Sequence, residues 1–131
     1  MTEPQFITPD WPAPAKVRAA VTTRVGGVSH APYDTFNLAT HVGDDPAALR
    51  ENRARLRAAL ALPTEPVWLK QVHGVAVVDA AQGDVEPEAD GAFAAQSGAV
   101  CAVLTADCLP VLLCNRAGTK VAALHAGWRG L

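Results

Sequence analysis

The stretch AVCAVLTADCLPVLLCNRAGTKVAALHAGWRG, from Ala99 to Gly130, decides the fold. It contains three short, continuous apolar runs: Val100 to Thr105, Val111 to Cys114 and Val121 to Leu124. Runs of Val, Leu, Ala and Cys without polar alternation predict strands buried on both faces. Pro110 and the turn-forming Asn115 to Thr119 separate them. Upstream, Val67 to Val72 and Val75 to Val78 predict two more strands meeting at His73-Gly74, followed by an acidic, proline-containing loop from Gln82 to Asp90.

Further toward the N-terminus the period changes. Asp44-Asp45-Pro46 is a helix start, with an acid to cap free amides and a proline in the first turn. Leu49, Leu56 and Leu60 recur at helical spacing, Arg50, Arg53, Arg55 and Arg57 face mostly outward, and Pro63 and Pro66 end the helix. Val17 to Thr23 predicts a strand, broken by a tight loop at Arg24-Val25-Gly26-Gly27-Val28-Ser29. His30 to His41 is irregular, and the proline-rich Met1 to Lys16 is an extended lead-in. One strong helix among several strands, without internal repeats, makes the class α+β.

Composition narrows the function. With 131 residues, half of them hydrophobic, residues 1–131 fit a single domain with a core. The net charge is −2, there is no basic stripe, and a single Tyr accompanies three Trp and three Phe, which excludes a nucleic-acid partner. No apolar run is long enough for a bilayer, and Met1 to Pro14 carries acids and prolines rather than a secretion signal. The expectation is a cytoplasmic protein without a membrane partner; nothing specifies its oligomeric state. Three cysteines, Cys101, Cys108 and Cys114, form an odd set without a C-x-x-C pair, which argues against a disulfide framework and a zinc ribbon.

The apolar segments end in reactive groups. His73 follows Lys70-Gln71-Val72, Cys108 follows Thr105-Ala106-Asp107, and His125 precedes Ala126-Gly127-Trp128-Arg129. Rigid strands with polar tips are where sites are mounted. Two imidazoles and a thiolate suit zinc, and three protein ligands leave a fourth position open. Spacing alone leaves the plainer alternatives standing: Cys108 as a buried apolar cysteine and each His as a satisfied polar residue.

Six segments occur in one order: Thr22-Thr23-Arg24-Val25-Gly26-Gly27-Val28-Ser29, Asn37-Leu38, His41-Val42-Gly43-Asp44-Asp45-Pro46, Gln71-Val72-His73-Gly74, Thr105-Ala106-Asp107-Cys108-Leu109-Pro110 and His125-Ala126-Gly127-Trp128-Arg129-Gly130. Together they resemble the YfiH family, also called the laccase-domain or peptidoglycan-editing-factor family, from about Val21 to the last residue. The resemblance implies an α+β sandwich of mixed β-sheets with outer helices, YfiH-like. It implies a purine nucleoside phosphorylase that also deaminates adenosine and cleaves methylthioadenosine, with purine nucleosides and phosphate as partners. It implies zinc held by His73, Cys108 and His125. The older label implies copper and polyphenol oxidation instead. Four His in all, with Met1 the single Met, make copper the poorer fit. The family's other name implies a third activity, editing of peptidoglycan precursors by a Cys-His hydrolase.

Other residues take expected roles beside plainer ones. Arg24 and Arg129 are candidate phosphate anchors, although Arg24 also serves to close a turn. Asp107 is placed to shuttle a proton or orient a ligand, or else to accept backbone hydrogen bonds. Asn37 and Gln71 are candidates for contact with base or ribose, or are solvated loop residues. Trp128, Cys101 and Cys114 read as packing residues, His30 and His41 as loop residues, and Glu86, Glu88 and Asp90 as a solvated loop. Family members are longer, so the chain ending at Leu131 reads as an N-terminal portion with open strand edges and uncovered apolar faces.

Overall fold

The structure is a computed structural model, and it describes residues 2–82 and 85–127. Two compact units emerge: Met1–Trp11 with Ala19–Leu62, and Pro12–Arg18 with Pro63–Leu131. The class is α+β, with one helix, one antiparallel strand pair and one mixed sheet among the described residues. No described helix is long and apolar enough to cross a membrane.

In the first unit, β1 (Phe6–Ile7) pairs antiparallel with β2 (Val21–Thr22). The lead-in is therefore extended and also contributes a strand, while the strand expected from Val17 to Thr23 shrinks to two residues. Helix α1 (Pro46–Ala59) starts as its sequence dictates, with Pro46 in the first turn and the Asp45 carboxylate accepting the Ala47 amide at 3.2 Å. Its end precedes the prolines. Ala61 adopts φ 51°, the Leu62 amide donates to Arg57 O and the Ala61 amide to Ala58 O. That is a Schellman stop, built with alanine where glycine is usual.

Leu49 and Leu56 are buried as the periodicity predicts, but the most buried side chain of the helix is Asn52. Its Oδ1 accepts the Val28 amide, and its Nδ2 donates to Ser29 Oγ and Asn37 O, each at 2.8 Å. Arg53 and Arg55, expected on the outer face, instead donate to Leu38 O and Gly26 O. Loop carbonyls that no ladder serves are thus satisfied by the helix's polar side chains. Gly27 is required there, because a Cβ would stand 2.1 Å from Thr35 O and 2.6 Å from Asn52 Oδ1.

In the second unit, β3 (Val77–Asp79), β4 (Gly91–Ala94), β5 (Leu109–Cys114) and β6 (Val121–Ala126) form a sheet of order β3-β4-β6-β5. β3 and β4 are parallel, and the other neighbours are antiparallel. The β5–β6 hairpin turns on Asn115, whose Oδ1 accepts the Thr119 and Lys120 amides. The core is small-residued: Leu69, Ala80, Ala89, Ala92 and Ala94, with Val67, Val78, Ala99, Cys101, Val103 and Val121 packed against it.

Four strand expectations are corrected. Val67 to Val72 and Val100 to Thr105 make isolated bridges, Val67 with Cys101 and Lys70 with Glu88, rather than strands. Trp68 and Leu69 are both buried, which breaks the alternation a strand face needs, and the Leu104 backbone is bound by the Gln71 side chain. The strand expected at Val75 to Val78 begins only at Val77 and runs to Asp79. Nor is β5 buried on both faces: it is an edge strand, with Leu109 51% and Leu113 50% exposed. That edge position also tolerates Pro110 inside the strand.

Candidate metal centre

Strand register gathers the three candidate ligands. In the ladder Leu109 faces Ala126 and Pro110 faces His125, so Cys108, just before β5, adjoins the end of β6. Gly91 faces Leu124, which sets Asp90, just before β4, beside His125; the His125 amide donates to Asp90 O at 2.7 Å. His73 lies in the turn that leads to β3. The ligand atoms of His73, Cys108 and His125 all lie within 4.8 Å of one another. The two imidazoles meet edge to face, with centroids 4.9 Å apart. A Cβ on Gly127 would stand 3.1 Å from His73 Cδ2, so the glycine leaves room for that ring.

The donor set fits a metal. Bonds of about 2.0–2.3 Å in a tetrahedron would hold the donors about 3.3–3.8 Å apart, so the longest edge has to close by about 1 Å. Burial is graded: His125 is buried, Cys108 half-buried and His73 exposed. Such a triad is anchored on one side and open to solvent on the other, as a site with a free coordination position requires.

Asp90 organises the cluster. It is 4% exposed, and its carboxylate accepts three backbone amides and meets the His125 imidazole. Oδ1 takes the Val72 and Gly74 amides at 3.0 and 2.9 Å; Oδ2 takes the His73 amide at 3.0 Å and faces His125 Nδ1 at 2.8 Å. Three consecutive amides converge on one anion because His73 adopts φ 60°, the left-handed geometry of a backbone nest. Burial alone would raise the carboxyl's pKa, but the Gly74 amide, His125 and the Val72 and His73 amides outweigh it and hold the pKa below its ordinary value. The expectation that Asp90 belongs to a solvated loop is therefore wrong. Its acidic neighbours disguised it, and the signal available was its position one residue before an apolar strand.

The remaining candidates fall in different places. Gln71 ties two ligand segments together, its amide exchanging 2.7 Å hydrogen bonds with both the N–H and the C=O of Leu104. Asp107 is exposed, with Oδ1 3.6 Å from Cys108 Sγ. Arg24 and Asn37 belong to the first unit. Arg24 donates to the Asp34 carbonyl and carboxylate and lines a recess of about 330 Å³ with Gly26, Gly27 and Thr35. Asn37 bonds the Ala39 backbone and Asp44. Arg129 and Trp128 lie outside the described residues. Cys101, expected in the core, packs against it half-buried, and burial, with the Asp79 charge, pushes its thiol up to about 11.

The chain is similar to proteins of one known family. The sequence profile of the family described as multi-copper polyphenol oxidoreductase laccase matches residues 18–131. A purine nucleoside phosphorylase of Pseudomonas aeruginosa is 59% identical over 126 residues, covering 96% of this chain and 51% of that one. The Escherichia coli purine nucleoside phosphorylase YfiH is 56% identical over 128 residues, covering 97% and 53%. The crystal structure of a Neisseria meningitidis protein of the DUF152 family superposes with a TM-score of 0.88 at 53% identity, covering 95% of this chain and 51% of that one. The chain spans about half the length of the curated relatives it matches.

Proposed function

The chain belongs to the multi-copper polyphenol oxidoreductase laccase family, the family of YfiH, and on that premise we propose that it carries the zinc site of a purine nucleoside phosphorylase. The observation that supports this reading most is the convergence of His73, Cys108 and His125. Two imidazoles and one thiolate favour zinc; the centres of a multicopper oxidase need more imidazoles than the four His of these residues supply. When bound, zinc supplies Lewis-acid polarisation at its open fourth position.

Phosphorolysis breaks the bond between ribose C1′ and the purine nitrogen, joins C1′ to a phosphate oxygen and leaves a proton on the departing base. The protein's tasks are to bind the phosphate, orient the nucleoside and manage that proton. We assign phosphate binding to Arg24 and Arg129, and the proton to the exposed Asp107 beside Cys108. Asn37 and Gln71 are assigned to base or ribose; each would exchange its present backbone hydrogen bonds for the substrate's. Deamination of adenosine and cleavage of methylthioadenosine belong to the same proposal, as does a cytoplasmic setting, where the free thiols of Cys101, Cys108 and Cys114 stay reduced.

The test is hypoxanthine release from inosine, with and without phosphate, by the chain and its Cys108→Ala variant. The proposal expects phosphate-dependent release, lost in the variant. No hypoxanthine release by a folded, metal-free chain whose Cys108 reacts with a thiol alkylating agent would instead favour the cysteine-hydrolase reading.

A further inference from the structure

An imidazole has one lone pair for a metal only if its proton sits on the other nitrogen, and the partner of that other nitrogen decides the tautomer. His125 Nδ1 lies 2.8 Å from Asp90 Oδ2 in a buried setting, both side chains being 3% exposed. The same carboxylate accepts the amides of Val72, His73 and Gly74, so it receives hydrogen bonds from every side. An acceptor so placed calls for a donor at Nδ1, and the Nε2 lone pair is then left for the metal. It also fixes the turn that presents His73, the exposed member of the triad.

We infer that Asp90 is the positioning residue of the metal centre: its carboxylate sets His125 in the tautomer that offers Nε2 and holds the His73 turn in the ligating geometry. The inference rests on His73, Cys108 and His125 binding a metal, and adds which residue outside the ligand set makes them ready to do so. Asparagine at this position is the informative change. Its oxygen can keep two of the three amides, but its NH2 would oppose the His73 amide and donate to His125 Nδ1. That moves the ring proton to Nε2, the atom the metal needs.

Two measurements test this. Long-range proton–nitrogen NMR of the metal-free wild-type chain reads the His125 tautomer directly; the inference expects the proton on Nδ1. Titration with Co2+, followed by its visible and thiolate charge-transfer bands, compares wild type with Asp90→Asn. The expected result is roughly 10–100-fold weaker Co2+ binding in a variant whose circular dichroism is native, the usual effect of removing a ligand's supporting carboxylate. The inference is overturned if His125 carries its proton on Nε2, or if folded Asp90→Asn binds Co2+ within about threefold of wild type. Should the variant fail to fold, the wild-type NMR result decides. Absence of Co2+ binding by folded wild type would overturn the metal reading itself, whereas failure of the variant or NMR comparison alone removes only the role of Asp90.

Discussion

Replacing Asn52 by alanine is expected to be the most destabilising single change in the first unit. The side chain is fully buried and makes three hydrogen bonds of 2.8 Å, from the Val28 amide and to Ser29 Oγ and Asn37 O. Each such bond contributes about 1 kcal/mol net, and a buried group left without a partner costs about 1–3 kcal/mol more. Truncation strands groups on three loop residues at once, so a loss of about 3–5 kcal/mol is expected, a large part of the roughly 5–15 kcal/mol that holds a domain folded. Asn52→Asp should do no better. It keeps an acceptor for Val28 but turns a second oxygen toward Asn37 O and buries a charge. Urea unfolding followed by far-UV circular dichroism reads the change as a lower midpoint at constant slope. A shift worth less than about 1 kcal/mol for Asn52→Ala, at unchanged slope, would refute the claim that this amide holds the loops to the helix.

Ala61→Gly should stabilise the chain by about 0.5 kcal/mol, because relief of a left-handed alanine at the helix stop outweighs the extra freedom of an unfolded glycine; an unchanged or lower urea midpoint would contradict this. Cys101, with its pKa pushed up to about 11 against an ordinary 9.0, should alkylate about 100-fold more slowly in the native chain at pH 8 than after denaturation, read by mass spectrometry of labelled peptides. Asp44 has a lowered pKa, chiefly through the Ser29 hydroxyl, with Asn37 and the Asp45 amide helping against a burial effect that raises it. A depressed carboxyl stabilises fully above its ordinary value of 3.8 and loses that contribution as pH falls through the lower folded value. The stability gap between wild type and Asp44→Asn should therefore narrow in that acid window; a gap that widens on acidification would contradict the sign.

The α+β class, the start of α1 and the β5–β6 hairpin were legible because each has a local cause: Asp45 before Pro46, or apolar runs either side of Asn115. The triad was legible because each ligand ends an apolar segment and the motif wording matches a known family. Asp90 and Asn52 were not, for one physical reason. Both are polar residues made central by partners far away in sequence, and neither periodicity nor composition distinguishes them from solvated neighbours. The failed strands at Val67 to Val72 and Val100 to Thr105 keep only isolated bridges to backbone partners, and the Leu104 backbone is bound by the Gln71 side chain instead of a ladder. The exposed face at Val77, Phe93, Leu109 and Leu113 shows why apolar runs alone overstate burial: they report what a strand can bury, not what covers it.

Elemental analysis shows whether His73, Cys108 and His125 form one metal site. The chain and its Cys108→Ala variant would be purified without chelator, checked for native circular dichroism and assayed for metal. About one zinc per wild-type chain and essentially none in the variant is the expected result. A folded wild-type chain without metal, which also takes up no zinc on titration, would contradict it.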